Sequence, residues 1–497
     1  MSIRYKIPPG IKLTKNMPHP VLSMRQGGGV ALDRHLFELW QSADGTDLND
    51  LISDYKSNGI SEDEVRAGLL CLAQSGLLAR KGELEIILEG EPVEGDLVSI
   101  IIVSFNSRKW LPACLSSIFD QTYSSLEVII VDNVSTDGSA EWIMDRYPEL
   151  NLIVLDESRS LAGAINRGIA EAEGKYYLML NPDVELEPNV VSLMVKSIQE
   201  DPDCAAVTAK LRFLWAPAFL NGLGNFVGGF SWGTDIALGH LDLGQFDHIE
   251  QIPSACFAAT LISSLAWEIV GELDEGFLLY YEDTEWCYRA RLYGYRVKVV
   301  TQEVVYHAFG GTSPSSSPME VSKYRKVVYG RLRFITKLLS WKFWLRFILV
   351  YILEDFLNFL YKLIRGRFDE SKALLSGWTD FIRDFSEISH NRKSIQERRI
   401  LNDNELFQAQ RWVPPTLIWQ GFPFLTRDLV RNRYLPLILS EKTYSFPEFP
   451  ERNRLLFSSV FQKENYLRRS IKILKAEGLN RFIHRVWRYT QWRLMKV

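Results

Sequence analysis

The chain has 497 residues, more than one ordinary core holds, so two or three domains are expected. A hydrophobic fraction of 46% and a charged fraction of 24% exclude a largely disordered chain. A formal net charge of -4 excludes an overall attraction to nucleic acid.

The first residues, MSIRYKIPPGIKL, are broken by Pro8-Pro9 before any apolar h-region, so they do not read as a secretion signal. The cysteines (Cys71, Cys114, Cys204, Cys256 and Cys287) are scattered, odd in number and form no CxxC pair, which argues against a disulfide framework or a zinc site. Reduced thiols and a cytoplasmic chain are expected. From about residue 30 to 90, "LDRHLFELWQSADGTDLNDLISDY" and "SEDEVRAGLLCLAQSGLLARKGELEIIL" read as helices followed by an extended pair, with Ser61 and Glu64 in a capping-box pattern. This order resembles a winged helix, in particular the small peptide-binding winged-helix domains of peptide-modification systems. Residues 1–96 carry 10 Lys/Arg against 15 Asp/Glu, a sign that opposes phosphate contact and DNA binding. A peptide or protein partner, or plain docking, remains. The acidic, turn-rich "LEGEPVEGD" reads as the linker, giving an N-terminal α+β domain over 1–92.

From Leu97 the patterns alternate. "LVSIIIVSF", "LEVIIVD", "NLIVL" and "YYLML" are apolar strand runs, separated by helical stretches at "RKWLPACLSSIF", "SAEWIMDRY" and "LAGAINRGIAEAEG". Strand and helix in turn imply an α/β domain over 93–317, a mainly parallel sheet with helices on both faces. In such sheets ligands sit beyond the carboxyl ends of the strands. Ser104 and Asn106 follow the first strand, Asp132 and Asn133 the second, and Asn181-Pro182-Asp183 the fourth, so these should share one rim. Each has a structural alternative, Asp132 as the cap of the "NVSTDGS" turn and Asp183 as a helix cap. As a set, acids at consecutive strand ends repel one another unless a cation or a donor-rich ligand lies between them.

"VSIIIVSFNSRKWLPACLSSIFDQTYSSLEVIIVDNVSTDGS", "AGAINRGI", "YLMLNPDVEL" and "FLLYYEDTEWCYRARLYGYRV" together resemble the family 2 glycosyltransferases, inverting enzymes of the GT-A (Rossmann-like) fold, closest to the rhamnosyltransferase-like members of bacterial polysaccharide synthesis. The likeness runs from about 97 to 311. It implies a nucleoside-diphosphate sugar donor of UDP or dTDP type and a hydroxyl of a glycan or lipid-linked glycan as acceptor. Ser104, Asn106, Asp132, Asn133, Asn166 and Arg167 would bind the donor nucleotide, Asp132 accepting from the N3-H of a uracil or thymine base. Asp183, with Asn181 and His307, would hold Mg²⁺ or Mn²⁺ against the diphosphate. Asn-Pro-Asp stands here where many relatives have Asp-X-Asp, so one charged ligand is lost. In the Glu282-Asp283 pair, Asp283 would be the general base. A first-turn acidic pair favouring the helix dipole is the alternative. His307 falls in the family's His-X-X-Gly segment, with Gly310 and Gly311 letting backbone pass near phosphate. Helical spacing sends Trp286 and the 289/290 pair to different surfaces. The glycine- and aromatic-rich "FLWAPAFLNGLGNFVGGFSWGTDIALG" suits an acceptor-facing loop, its aromatics stacking on sugars or filling a core. An inactive nucleotide-sugar or glycan-binding scaffold, or a peptide acceptor presented by the N-terminal domain, are the competing functions.

Beyond Ser317, "VSKYRKVVYGRLRFITKLLSWKFWLRFILVYILEDFLNFLYKLIRGRF" is helical in pattern, basic and aromatic, and defines a helical region over 318–497. Its longest charge-free run is cut by Arg346 and by Glu354-Asp355, too soon for the roughly 20 apolar residues of a spanning helix. A peripheral contact with the inner face of the cytoplasmic membrane is expected, with the terminal "LNRFIHRVWRYTQWRLMKV" repeating the composition. The alternative is a helical appendage with arginines along its rim. Residues 391–450 are too mixed to assign.

Overall fold

The computed structural model describes residues 5–8, 11–14, 19–23, 29–80, 93–227, 233–309, 321–408, 413, 416, 418–419 and 422–440. The linker's first part, the "ELEIIL" run, Gly310, Gly311 and the terminal basic-aromatic segment lie outside them.

The N-terminal unit has short strands β1 (Tyr5–Lys6), β2 (Lys12–Thr14), β3 (Val21–Ser23) and β4 (Val30–Leu32), then helices α1 (Arg34–Ala43), α2 (Leu48–Ser57) and α3 (Glu62–Gln74). Strand β5 (Ala79–Arg80) returns to pair with β1. Each helix starts on a side-chain cap, from Asp33, Asp47 and Ser61 respectively. The strands before α1 are too short to carry a legible period, which is why the sequence shows only the helices. The Ser61–Glu64 box is half made: Ser61 Oγ accepts from the Glu64 N–H, while the Glu64 carboxylate pairs with Arg427.

The central domain begins with the expected alternation: β6 (Val98–Ser104), α4 (Leu111–Phe119), β7 (Leu126–Asp132), α5 (Ser139–Arg146), β8 (Asn151–Val154), α6 (Leu161–Ile169) and β9 (Tyr176–Leu180). It continues through β10 (Val184–Leu186), α7 (Val190–Gln199), β11 (Cys204–Phe213), β12 (Ala216–Gly222), the hairpin β13 (Asn225–Val227) and β14 (Gly233–Asp235), β15 (Ala259–Ser263), α8 (Ser264–Val270), α9 (Glu282–Leu292) and β16 (Arg296–His307). The sheet order is β10-β16-β11-β15-β9-β6-β7-β8, with β12 paired to β11. Strands β6 to β9 are parallel, as expected. The other half is mixed, because β15 runs antiparallel to both β9 and β11. Both faces are buried: Ile100 and Ile102 enter one core and Ile101 the other, the mark of a strand covered on two sides.

Helices α10 (Val321–Leu338), α11 (Trp341–Ile364), α12 (Phe368–Glu397) and α13 (Asp403–Gln408) follow. Among the described residues no helix is long and apolar enough to cross a membrane. Helix α10 packs on α9, and every residue of α9 except Asp283 is buried, so Trp286 and the 289/290 pair do not reach the surface. Trp286 stacks on Trp267, and Arg289 pairs with Glu285. Arginines are not confined to a rim: Arg331 and Arg333 are fully buried, Arg333 bound to Asp274 and Glu387 and Arg331 to Asp355. Of the stretch the sequence left unassigned, β18 (Phe422–Leu425), which pairs with β17 (Ile418–Trp419), adds to β4 in parallel. A π-helical turn follows, whose Val430 and Tyr434 join the N-terminal core.

Candidate active site at the sheet rim

Parallel pairing fixes which polar residues share an edge. Ser104 at the end of β6 sits opposite Asp132 at the end of β7, and Leu180 opposite Ile102, so Asn181 leaves the sheet on the same side. Asp132 is buried: its Oδ2 accepts from the Ser135 N–H at 2.9 Å, and its Oδ1 has no partner. Ser104 Oγ is equally buried and unpartnered. The capping role of Asp132 is therefore real and uses one oxygen, leaving the other for a donor.

The remaining nucleotide-site expectations separate. Asn106 adopts a left-handed backbone (φ 51) and accepts from the Thr136 N–H. Asn133 brackets Arg159, donating to its carbonyl and accepting from its N–H. Asn166 does the same to Leu273. These amides shape loops. Arg167 is outward-facing, paired with Glu171, and lines a cavity of about 540 Å³ with Arg159 and residues 153–157 at the end of β8 and just beyond it.

Asp183 and His307 meet because β10 pairs with β16, Val184 opposite His307. Both are buried, with His307 Nε2 3.4 Å from Asp183 Oδ1 and His307 Nδ1 2.7 Å from Asn221 Oδ1. An imidazole donating from Nδ1 to Asn221 aims its Nε2 lone pair at a carboxylate, two acceptors facing each other. A proton or a cation between them resolves the conflict. One carboxylate and one imidazole suit a divalent ion, so the residues fit the expected metal. Among the described residues there is no cluster of three or more such side chains.

At the start of α9, Asp283 Oδ1 accepts from the Thr284 N–H and hydroxyl. Its Oδ2 accepts from Asn225 Nδ2 at 3.1 Å. Tyr280 and Tyr281 both hold positive φ (67° and 72°), strain that turns the chain sharply into the helix and sets the acidic pair at its mouth. Asp283 is partly exposed, whereas Glu282 is buried and its Oε2 has no partner. Burial and then the neighbouring Asp283 push the Glu282 carboxyl up to about 8, and burial also raises Asp283. A third acid belongs here: Asp235 on β14 is pushed up to about 7, by burial and then by Asp283. His307 acts on Asp235 in the opposite sense.

Asn221, Asn225 and Asp235 were not singled out from sequence. All three fall in the glycine- and aromatic-rich stretch, where polar residues between glycines were the available signal. Its Phe219 and Phe226 fill the core.

Residues 99–215 match the model of the family described as glycosyl transferase family 2. Glycosyltransferase GlyG of Streptococcus pneumoniae is 30% identical over 109 residues, 21% of this chain and 36% of that protein. The poly-beta-1,6-N-acetyl-D-glucosamine synthase of Staphylococcus epidermidis is 29% identical over 126 residues, 25% of this chain and 30% of that protein. The chain thus spans about a third of the length of these relatives. Among solved structures it is similar to a mannosyltransferase, PcManGT from Pyrobaculum calidifontis, in complex with GDP-Man and Mn²⁺, at 15% identity and a TM-score of 0.37, covering 67% of this chain and 90% of that one.

Proposed function

We propose that this chain, a family 2 glycosyltransferase through residues 99–215, transfers a sugar from a UDP- or dTDP-type donor to a hydroxyl of a glycan or lipid-linked glycan, with inversion, in cell-surface polysaccharide synthesis. The observation that carries the reading is the Asp283 carboxylate, held by Thr284 and Asn225 at the first turn of α9.

Asp132 Oδ1, buried without a partner, takes the base N3-H. Asp183 and His307, with Asn181 beside them, would hold Mg²⁺ or Mn²⁺, which when bound offsets the charge on the departing diphosphate. The acceptor oxygen bonds the anomeric carbon from the face opposite the diphosphate. The bond from that carbon to the diphosphate oxygen breaks, its electron pair leaves with the nucleotide, and the hydroxyl proton goes to Asp283. Glu282 helps by staying neutral: two adjacent carboxyls, one of them buried, hold one proton between them. Glu282 is pushed up to about 8, while three hydrogen bonds favour the ionised form of Asp283. A positioned general base contributes about 10²- to 10⁴-fold.

Nucleotide release from a panel of UDP-, dTDP- and GDP-sugars tests the reading. Asp283→Asn should lose most of the activity of the parent. A variant within a few-fold of the parent assigns the base elsewhere.

A further inference from the structure

Helix α11 is built inside out. Its acids turn inward: Asp355 is buried against Arg331 and the Trp378 indole N–H, and Glu354 faces Arg331 at 3.5 Å. In the linear sequence these two residues break the apolar run. In three dimensions they leave it intact, because the opposite face carries Leu345, Leu349, Ile352, Leu353, Phe356 and Leu357 and continues apolar to Ile364. Leu349, Leu353 and Phe356 are 58%, 61% and 57% exposed. At 24 residues the helix is about 36 Å long, and so continuous a face, left exposed among the described residues, marks an interaction surface.

We infer that this face is a membrane-docking surface, which lies along an anionic lipid bilayer with α11 in the plane of the headgroups. The inference deepens the peripheral membrane contact expected of the proposed transferase, and rests on that reading only for its biological purpose. Charge selects the occupant. The exposed charged residues of α11 are Lys342 and Arg346 near its start, and Arg365 caps its end, all basic. Two copies apposed through this face would set basic residues against basic residues with no exposed acid on the helix to answer them, a repulsive arrangement. An anionic leaflet answers all of them. At the start of the face a cavity of about 510 Å³ is lined by Trp341, Arg392 and Lys393 together with one acid, Glu397, with Arg392 over the Trp341 ring at 4.6 Å. Aromatic and cationic groups at the rim of an apolar face are what the headgroup zone favours.

The test is flotation of the full chain with vesicles of phosphatidylcholine plus phosphatidylglycerol, and with phosphatidylcholine alone. The parent should float with the anionic vesicles only. Leu349→Glu/Phe356→Glu, both at exposed positions, should weaken that partition roughly tenfold or more, with an unchanged melting temperature. The same variant should release nucleotide from the donor sugar as the parent does when vesicles are absent, which separates failure of docking from failure of the transferase reading. Undiminished flotation of the double variant, equal flotation on neutral vesicles, or a parent dimer that becomes monomeric in the variant by light scattering overturns the inference.

Discussion

Asn225 on β13 donates from Nδ2 to Asp283 Oδ2 at 3.1 Å, so a hairpin far from α9 in the chain orients the carboxylate at the helix's first turn. The residue before it, Gly224, has φ 110 and could not carry a Cβ, which would lie 2.4 Å from the Ser254 carbonyl oxygen. Close backbone approach there is what brings Asn225 to Asp283.

Asn225→Ala should lower kcat roughly tenfold, the loss of one bond to a charged group. That bond favours the ionised carboxylate, so its removal raises the proton affinity of Asp283. The acidic limb of the pH–rate profile should move to higher pH. A uniform rate loss with an unmoved limb would mean that Asn225 only supports the fold.

Asp132→Asn replaces a free acceptor at the rim with an amide that can turn donors towards the base. The expected outcome is a donor KM raised roughly tenfold to a hundredfold, with kcat nearly unchanged. Steady-state kinetics with the preferred donor measure it.

Glu282 bears on stability as well as on charge. Its ordinary value is 4.5 and the folded value is about 8, so the folded state binds the proton more tightly than the unfolded one. The fold loses stability as pH rises past 4.5, and the loss is complete above about 8. Glu282→Gln removes that penalty. The variant should melt a few degrees above the parent at alkaline pH and close to it at acid pH, as differential scanning calorimetry would record.

Asp274 is the keystone between α10 and the loop before α9. Burial opposes its charge, yet Lys337 and Arg333 hold the carboxyl well below the usual carboxylate range. Asp274→Asn leaves those two buried cations short of a partner, and should cost about 3 to 5 kcal/mol in chemical denaturation. A carboxyl with a depressed value stabilises above its unfolded value of 3.8 and loses that contribution as pH falls towards the folded one. The gap between parent and variant should therefore narrow in acid.

The sequence by itself determined the α/β class, the order of β6 to β9, and the identity of the acids at the strand ends. Those signals are local: apolar runs of strand length, helical spacing, and a polar residue at each run's end, with the family resemblance built on the same motifs. It also showed Asp183, Asp283 and His307, though not what joins them. Only the tertiary structure set Asn225 against Asp283 and Asn221 against His307, because these contacts cross 58 and 86 residues, and no period in the chain records such pairings. It likewise decided that β15 runs against its neighbours and that residues 422–425 complete the N-terminal sheet. The acids of α11 make the same point from the surface. A linear reading counts Glu354 and Asp355 as interruptions, whereas burial against Arg331 removes them from the outer face, since a helix turns 100° per residue and charge matters by the side on which it emerges.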